Sequence, residues 1–234
     1  MIKLTKQDCE RISRLFPQLN CEYRKQRLWG TLAFTCYYDE PKGKLVHQAH
    51  PDSISDTYEI EIKFDKFHLK LPRTYETSGI VADHAKKTGT KLLDLHMFKK
   101  ANACCLGIYP EDEYRTAYEF LVERVVPYFY WQSHIRIHGK EPWKAYPHGK
   151  AGYVEKRREL STKIHDIEKQ MSDKTIAGIG SIRNKPCECG SNKKYKSCCL
   201  NKDDRLRAEF RFLGKHRATV GKWIAQQAKK DTSE

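Results

Sequence analysis

Hydrophobic positions along the chain change period several times, and each change marks an element. Cys9, Ile12, Leu15 and Phe16 recur at helical spacing, and Thr5 is followed three residues later by Asp8. That pair is the signature of an N-cap with its capping-box partner, so a short amphipathic helix opens the fold. Residues 27–38 are rich in aromatic and β-branched side chains, residues 58–64 alternate apolar with polar, and residues 67–72 alternate again up to Pro72. All three read as strands, the last ending where a proline is tolerated. A polar loop holding Pro41, Gly43 and Pro51 separates the first two. The pattern predicts an antiparallel meander.

The second half reads differently. A polar, glycine-containing stretch over 74–91 leads into Leu92, Leu93, Leu95, Met97 and Phe98, and then into Cys104, Cys105 and Leu106. Tyr118, Leu121, Val125, Val126 and Phe129 predict a buried helix over 112–131, followed by a loop rich in Gly, Pro and His over 133–153. Leu160, Ile164, Ile167 and Met171 predict an amphipathic helix over 155–171, and a flexible run over 176–181 follows. Leu206, Phe210, Leu213, Val220 and Ile224 mark a last, basic helix. The fold class is α+β: a meander with flanking helices over 1–154, a helical linker over 155–182, a small cysteine-rich tail over 183–202 and a basic C-terminal helix over 203–234.

Charge sharpens that division. The 44 Lys and Arg exceed the 30 Asp and Glu by 14, and 20 basic residues against 11 acidic ones fall from Val154 onward. Such a tail suits an anionic partner, and weak nucleic-acid binding is one expectation; a solvated helix face has the same composition. No apolar run has the length of a membrane span, and no glycine-rich phosphate loop follows a strand. The chain opens Met-Ile-Lys-Leu-Thr-Lys with no apolar signal region, and its nine cysteines are an odd number. A reducing, cytoplasmic setting is expected, where a cysteine cluster binds metal more often than it oxidises.

Four of those cysteines, Cys187, Cys189, Cys198 and Cys199, form a C-x-C-x8-C-C pattern around a Gly-Ser-Asn turn. Two short cysteine pairs brought together by a turn offer four thiolates to one tetrahedral zinc ion, with disulfides as the alternative. Arg183-Asn184-Lys185-Pro186 followed by this cluster resembles the SEC-C motif, the small zinc-binding module at the C-terminus of the SecA translocation ATPase and of many unrelated bacterial proteins. The resemblance implies a docking module and leaves the docked partner open.

A helix, a meander, a histidine, then Cys-Leu nine residues later and a helix also form a recognisable order. With Leu28-Trp29-Gly30-Thr31-Leu32, the strand at 58–62, Leu69-Lys70-Leu71-Pro72, and His96 followed by Cys105-Leu106, the chain over 3–155 resembles the ubiquitin-conjugating-enzyme fold. It is most similar to the prokaryotic relatives found in ubiquitin-like and antiphage operons. The resemblance implies that Cys105 carries the C-terminus of a ubiquitin-like protein, or of a target such as a cyclase, as a thioester. It would receive that group from a separate, ATP-consuming activating enzyme and pass it to an amine. His96 would organise the loop. Where eukaryotic members carry His-Pro-Asn this chain carries His96-Met97-Phe98, so Asn102, three residues before Cys105, is the candidate for oxyanion or loop support. Lys99 and Lys100 are placed to favour a thiolate. Adjacent extended residues face opposite ways, so one of Cys104 and Cys105 is expected in the core and the other exposed. The rival readings are a buried, inert Cys105 and a catalytically inactive, zinc-stabilised adaptor that binds nucleic acid or a protein.

Overall fold

The computed structural model describes residues 2–68, 71–99, 102–107, 116–146, 152, 154–156, 158–159, 161–162, 183–187 and 189–204. The chain divides into two compact units, Met1–Ala145 and Tyr146–Glu234.

In the first unit, helix α1 (Lys6–Leu15) begins where the capping signal places it. The Thr5 hydroxyl accepts the Asp8 N–H at 3.1 Å, and one oxygen of the Asp8 carboxylate accepts the Thr5 N–H at 3.1 Å. Asp8 is buried, and its other oxygen accepts the N–H of Tyr118 at 3.1 Å. One carboxylate thereby satisfies donors at the N-termini of two helices far apart in the chain.

Strands β1 (Leu19–Glu22), β2 (Arg27–Asp39), β3 (Lys44–Val46), β4 (Ile54–His68), β5 (Leu71–Glu76), β6 (Met97–Phe98) and β7 (Ala103–Cys104) pair antiparallel. Their order is β1-β2-β4-β5-β7-β6, with β3 on β2. Leu28 lies opposite Ile62, Leu32 opposite Tyr58 and Cys36 opposite Ile54, and all six are buried. This period of two turns one face of the sheet into the core. On the other face, Thr35 and Ser55 meet hydroxyl to hydroxyl at 2.8 Å in the open. Gly30 has φ +121, and a Cβ there would stand 2.5 Å from the Gln18 carbonyl. Only glycine lets β1 and β2 approach at that point.

The expected meander is present with different boundaries. Residues 67–72, read as one strand, contain the reversal between β4 and β5: Phe67 pairs with Pro72 and His68 with Leu71. Residues 69 and 70 lie outside the described residues, and alternation across 67–72 does not by itself separate one strand from the paired ends of two. The polar stretch over 74–91 carries the end of β5 and a helix, α2 (Ile80–Thr88), with Val81 and Ala85 buried and Gly89 as its left-handed C-cap.

The helix expected to end near Trp131 runs seven residues further. It begins as α3 (Ala117–Phe120), passes through a π turn (Leu121–Val125) and continues as α4 (Val126–His138). The Val126 N–H reaches back five residues to the Leu121 carbonyl, immediately before Pro127. Proline lacks an N–H and its ring crowds the preceding turn, so a widened turn accommodates it without breaking the helix. The polar residues after Ser133 are the exposed side of the last turns, and Gly139 closes the helix with an N–H to the Ile135 carbonyl at 2.8 Å. Residues 112–115 lie outside the described residues.

The helix packs on the inner sheet face through aromatic rings. Phe129 meets Tyr58 with centroids 4.6 Å apart, and Phe120 meets Phe64 edge-on at 6.2 Å. The Tyr58 and Ser133 hydroxyls share a buried hydrogen bond of 2.9 Å, and Ser133 donates to Asp56, which also pairs with Arg136. Polar groups at the end of the core are therefore partnered.

Two cysteines differ from expectation. Cys9 and Cys21, read as reduced, form a disulfide between α1 and β1. Hydrophobic spacing had placed Cys9 on the buried side of α1, and that side is the one that meets β1.

In the second unit, residues 152, 154–156, 158–159 and 161–162 are helical, within or beside the stretch expected to be the linker helix. The remainder of that helix and the run over 176–181 lie outside the described residues; of the last basic helix, expected over 203–234, residues 203–204 are described and are helical, and the rest lies outside them. Among the described residues, no helix is long and apolar enough to cross a membrane.

Candidate metal centre and reactive cysteine

The cysteine-rich tail is a small knuckle. Pro186 and Lys194 form an antiparallel bridge, with the Cys187 N–H on the Lys193 carbonyl at 2.7 Å and the Tyr195 N–H on the Lys185 carbonyl at 2.9 Å. Gly190 (φ +76) and Asn192 (φ +56) take left-handed conformations, which these two residue types tolerate, and so turn the chain between the cysteine pairs. A single 3-10 turn (Tyr195–Ser197) then delivers Cys198 and Cys199. Cys187, Tyr195 and Leu200 are buried together, and the Tyr195 hydroxyl donates to Asp203 at 2.7 Å. Tyr195 thus ties the turn to the helical residues over 200–204.

The four sulfurs lie within 4.8 Å of one another. Cys189 and Cys198 are 3.4 Å apart, and Cys198 and Cys199 are 3.8 Å apart. A tetrahedral ion at about 2.3 Å from each sulfur places its ligands about 3.8 Å apart, so spacing and donor chemistry both fit zinc. With every position taken by sulfur, such a site is structural and has no open position for a substrate. Sulfurs this close titrate as a set: the Ser191 hydroxyl beside Cys189 brings that thiol down to about 6, whereas the neighbouring Cys187 holds Cys199 up.

Residues 183–201 match the SEC-C motif. No curated protein and no solved structure matches the chain.

The other candidate lies on the two-residue ladder of β6 and β7, where Met97 faces Cys104 and Phe98 faces Ala103. Beyond it, the Cys105 N–H donates to the His96 carbonyl at 2.7 Å. The structure therefore brings His96 and Cys105 side by side. His96 takes a left-handed backbone (φ +54), and its ring stands edge-on to Trp131 at 5.4 Å between centroids. Asn102 is also left-handed (φ +49), half-buried on the connection between the two strands, a conformation asparagine adopts more readily than most residues. Lys100 lies outside the described residues.

Cys104 and Cys105 divide as alternation requires. Cys104 is buried in the core cluster, while Cys105 is half-buried. The Cys104 thiol is pushed far up, first by burial and then by the Glu76 carboxylate and Cys105, against the opposing effect of the Tyr128 hydroxyl. Cys105 itself is pushed up to about 11 by burial, although the Gly107 N–H pulls the other way. The lowered value expected from the neighbouring lysines is not realised. Lysine charge adjacent in sequence does not offset the loss of water around the sulfur.

Sequence reading missed the groups around this pair. Tyr128 donates from α4 to the His96 carbonyl at 3.2 Å, and the buried Gln132 donates to the Leu95 carbonyl at 2.5 Å. Glu76 is fully buried; one oxygen accepts from Ser78, and the other, like the Thr74 hydroxyl, has no partner among the described residues. Two signals were available. Gln132 is polar on the buried side of an apolar helix, and Thr74 and Glu76 are polar at core-facing positions of β5.

Proposed function

We propose that the chain is a cysteine transferase of the ubiquitin-conjugating type, with Cys105 as its acyl carrier and the zinc-binding knuckle as a docking module. The observation that carries this reading is the hydrogen bond from Cys105 to His96, which holds a half-buried cysteine at the end of a short ladder after an antiparallel meander. In the proposed reaction the Cys105 sulfur, once deprotonated, attacks the carbonyl of a ubiquitin-like C-terminus held as a thioester on the activating enzyme. The carbon–sulfur bond to that enzyme breaks and its thiolate leaves. An acceptor amine then attacks the new thioester, forming an amide, and the Cys105 thiolate departs and takes up a proton. ATP is consumed only by the activating enzyme. Cys187, Cys189, Cys198 and Cys199 would hold zinc, which folds the knuckle and takes no part in transfer.

Burial that holds Cys105 at about 11 keeps the thiol largely protonated at neutral pH, so transfer would call for a partner that supplies a base or displaces the surrounding atoms. The same raised value favours a second reading, in which the first unit is an inactive relative serving a zinc-stabilised adaptor. Incubation of the purified chain with a cognate activating enzyme, its ubiquitin-like protein and ATP separates the two. A thiol-sensitive adduct that Cys105→Ser converts to a stable oxyester supports transfer. Absence of any adduct, or conjugation that survives Cys105→Ala, refutes it.

A further inference from the structure

Two side chains of α4 and two backbone carbonyls of the turn before β6 meet behind Cys105, and they are joined by hydrogen bonds. Tyr128 and Gln132 stand one turn apart on α4, at the spacing that puts two side chains on one helix face. Gln132 holds the Leu95 carbonyl and Tyr128 holds the His96 carbonyl, so two successive carbonyls of the turn before β6 are gripped by one helix. The Tyr128 hydroxyl also lies close enough to Gln132 and to the Cys104 thiol for both to act on its titration, the thiol raising it and the amide lowering it. The His96 carbonyl accepts from Tyr128 and from the Cys105 N–H together.

This grip is placed at a point of weakness. β6 and β7 have two residues each, too few for a ladder to hold its own register, and His96 has a left-handed backbone, a conformation uncommon for any residue other than glycine. A strained turn persists where its surroundings over-determine it. Here the surroundings are Tyr128 and Gln132.

We infer that Tyr128 and Gln132 are positioning residues for Cys105: by fixing the carbonyls of Leu95 and His96 they set the register of β6 against β7 and thus the exposure and direction of the Cys105 sulfur. This inference deepens the transferase reading and rests on it for its consequence in catalysis, but the positioning itself is measurable without any transfer. The ionisable groups around Tyr128 and Cys105 are the Cys104 thiol on β7, the Glu76 carboxylate on β5 and His96 on the preceding turn. Tyr128→Phe removes only the hydroxyl and keeps the ring in the core.

The test is site-resolved alkylation of the full chain across pH, read by mass spectrometry, with the buried Cys36 as an internal reference for global opening. In Tyr128→Phe the Cys105 midpoint is expected to fall toward the ordinary thiol value and its labelling at pH 8 to rise roughly tenfold, with Cys36 unchanged. Gln132→Met is expected to act in the same direction and serves where the first variant does not fold. A Cys105 profile that superimposes on the wild type, or Cys36 labelling that rises in step with it, overturns the inference. If the profile shifts while the wild type forms no thioester, the positioning stands and the transferase reading fails. If both hold, acyl loading on Cys105 is expected to drop about tenfold in Tyr128→Phe at an unchanged unfolding temperature.

Discussion

The backbone N–H of Cys105 donates to the carbonyl oxygen of His96 at 2.7 Å, across the open end of a ladder only two residues long. The bond orders a thiol without activating it. Burial raises Cys105 to about 11, and the Gly107 N–H recovers only part of that. Structure and electrostatics thus pull apart at this residue: the backbone fixes the place of the carrier proposed above, while burial disfavours the thiolate that the proposed role needs.

A direct consequence is slow chemistry at neutral pH. The labelling rate of Cys105 with iodoacetamide should climb about tenfold per pH unit from pH 7 to near 11 and level off above it. A plateau reached near pH 8.5, the ordinary thiol value, would show that the surroundings do not suppress ionisation. Addition of a partner that engages the site should shift the curve to lower pH.

Stability should fall in alkali for a related reason. Folding raises the Cys36 thiol from 9.0 to about 12 and the Tyr58 phenol from 10.0 to about 12, both chiefly by burial. A group raised on folding contributes fully below its unfolded value, and that contribution is lost as pH rises toward the folded value. Between pH 9 and 12 the first unit should therefore lose stability, by at most about 1.4 kcal/mol per pH unit for each such group. Urea unfolding at a series of pH values measures the slope. Cys36→Ala should be less stable at pH 7 and show a shallower alkaline decline; an unchanged slope would remove Cys36 from the account.

Much of this architecture was legible because it follows from period and caps. The Thr5–Asp8 box, the alternation over 58–64 and the strand over 27–38 all mark real elements, since each reflects a local rule that the core reinforces. What was hidden depends on long-range geometry. β4 and β5 pair across residues that continue the same alternation, and the last turn of α4, Arg136, Ile137 and His138, is exposed and carries no apolar stripe to mark it. The cysteine spacing exposed the knuckle because four ligands on one short loop are a local constraint. The grip of Tyr128 and Gln132 on the Leu95–His96 turn spans more than thirty residues, and no spacing rule connects them.

Asp8 offers a test of the packing that no functional assumption enters. It completes the cap of α1 and receives the Tyr118 N–H of α3, both in a buried setting. Asp8→Ala should cost about 2–4 kcal/mol, the sum of a lost cap and an orphaned buried donor. Asp8→Asn retains one acceptor oxygen and should cost less. Chemical denaturation of both variants checks the order, and equal losses would mean that only one of the two helix contacts matters.

The knuckle should depend on its metal in a way the meander does not. Among the described residues the core of the tail is Cys187, Tyr195 and Leu200, too small to stand alone, so zinc binding and folding of the tail are expected to be one event. Metal analysis should return one zinc per chain, and Cys187→Ser should abolish it. Thiolate ligands compete with protons, so acidification below about pH 6 should release the ion and neutralisation should restore it. Removal by a strong chelator should erase the dispersed amide signals of 183–204 in a nitrogen-correlated NMR spectrum and leave those of the sheet in place. Signals in the tail that survive both the chelator and Cys187→Ser would show that the motif folds without the ion, and the role assigned to the four sulfurs would then be wrong.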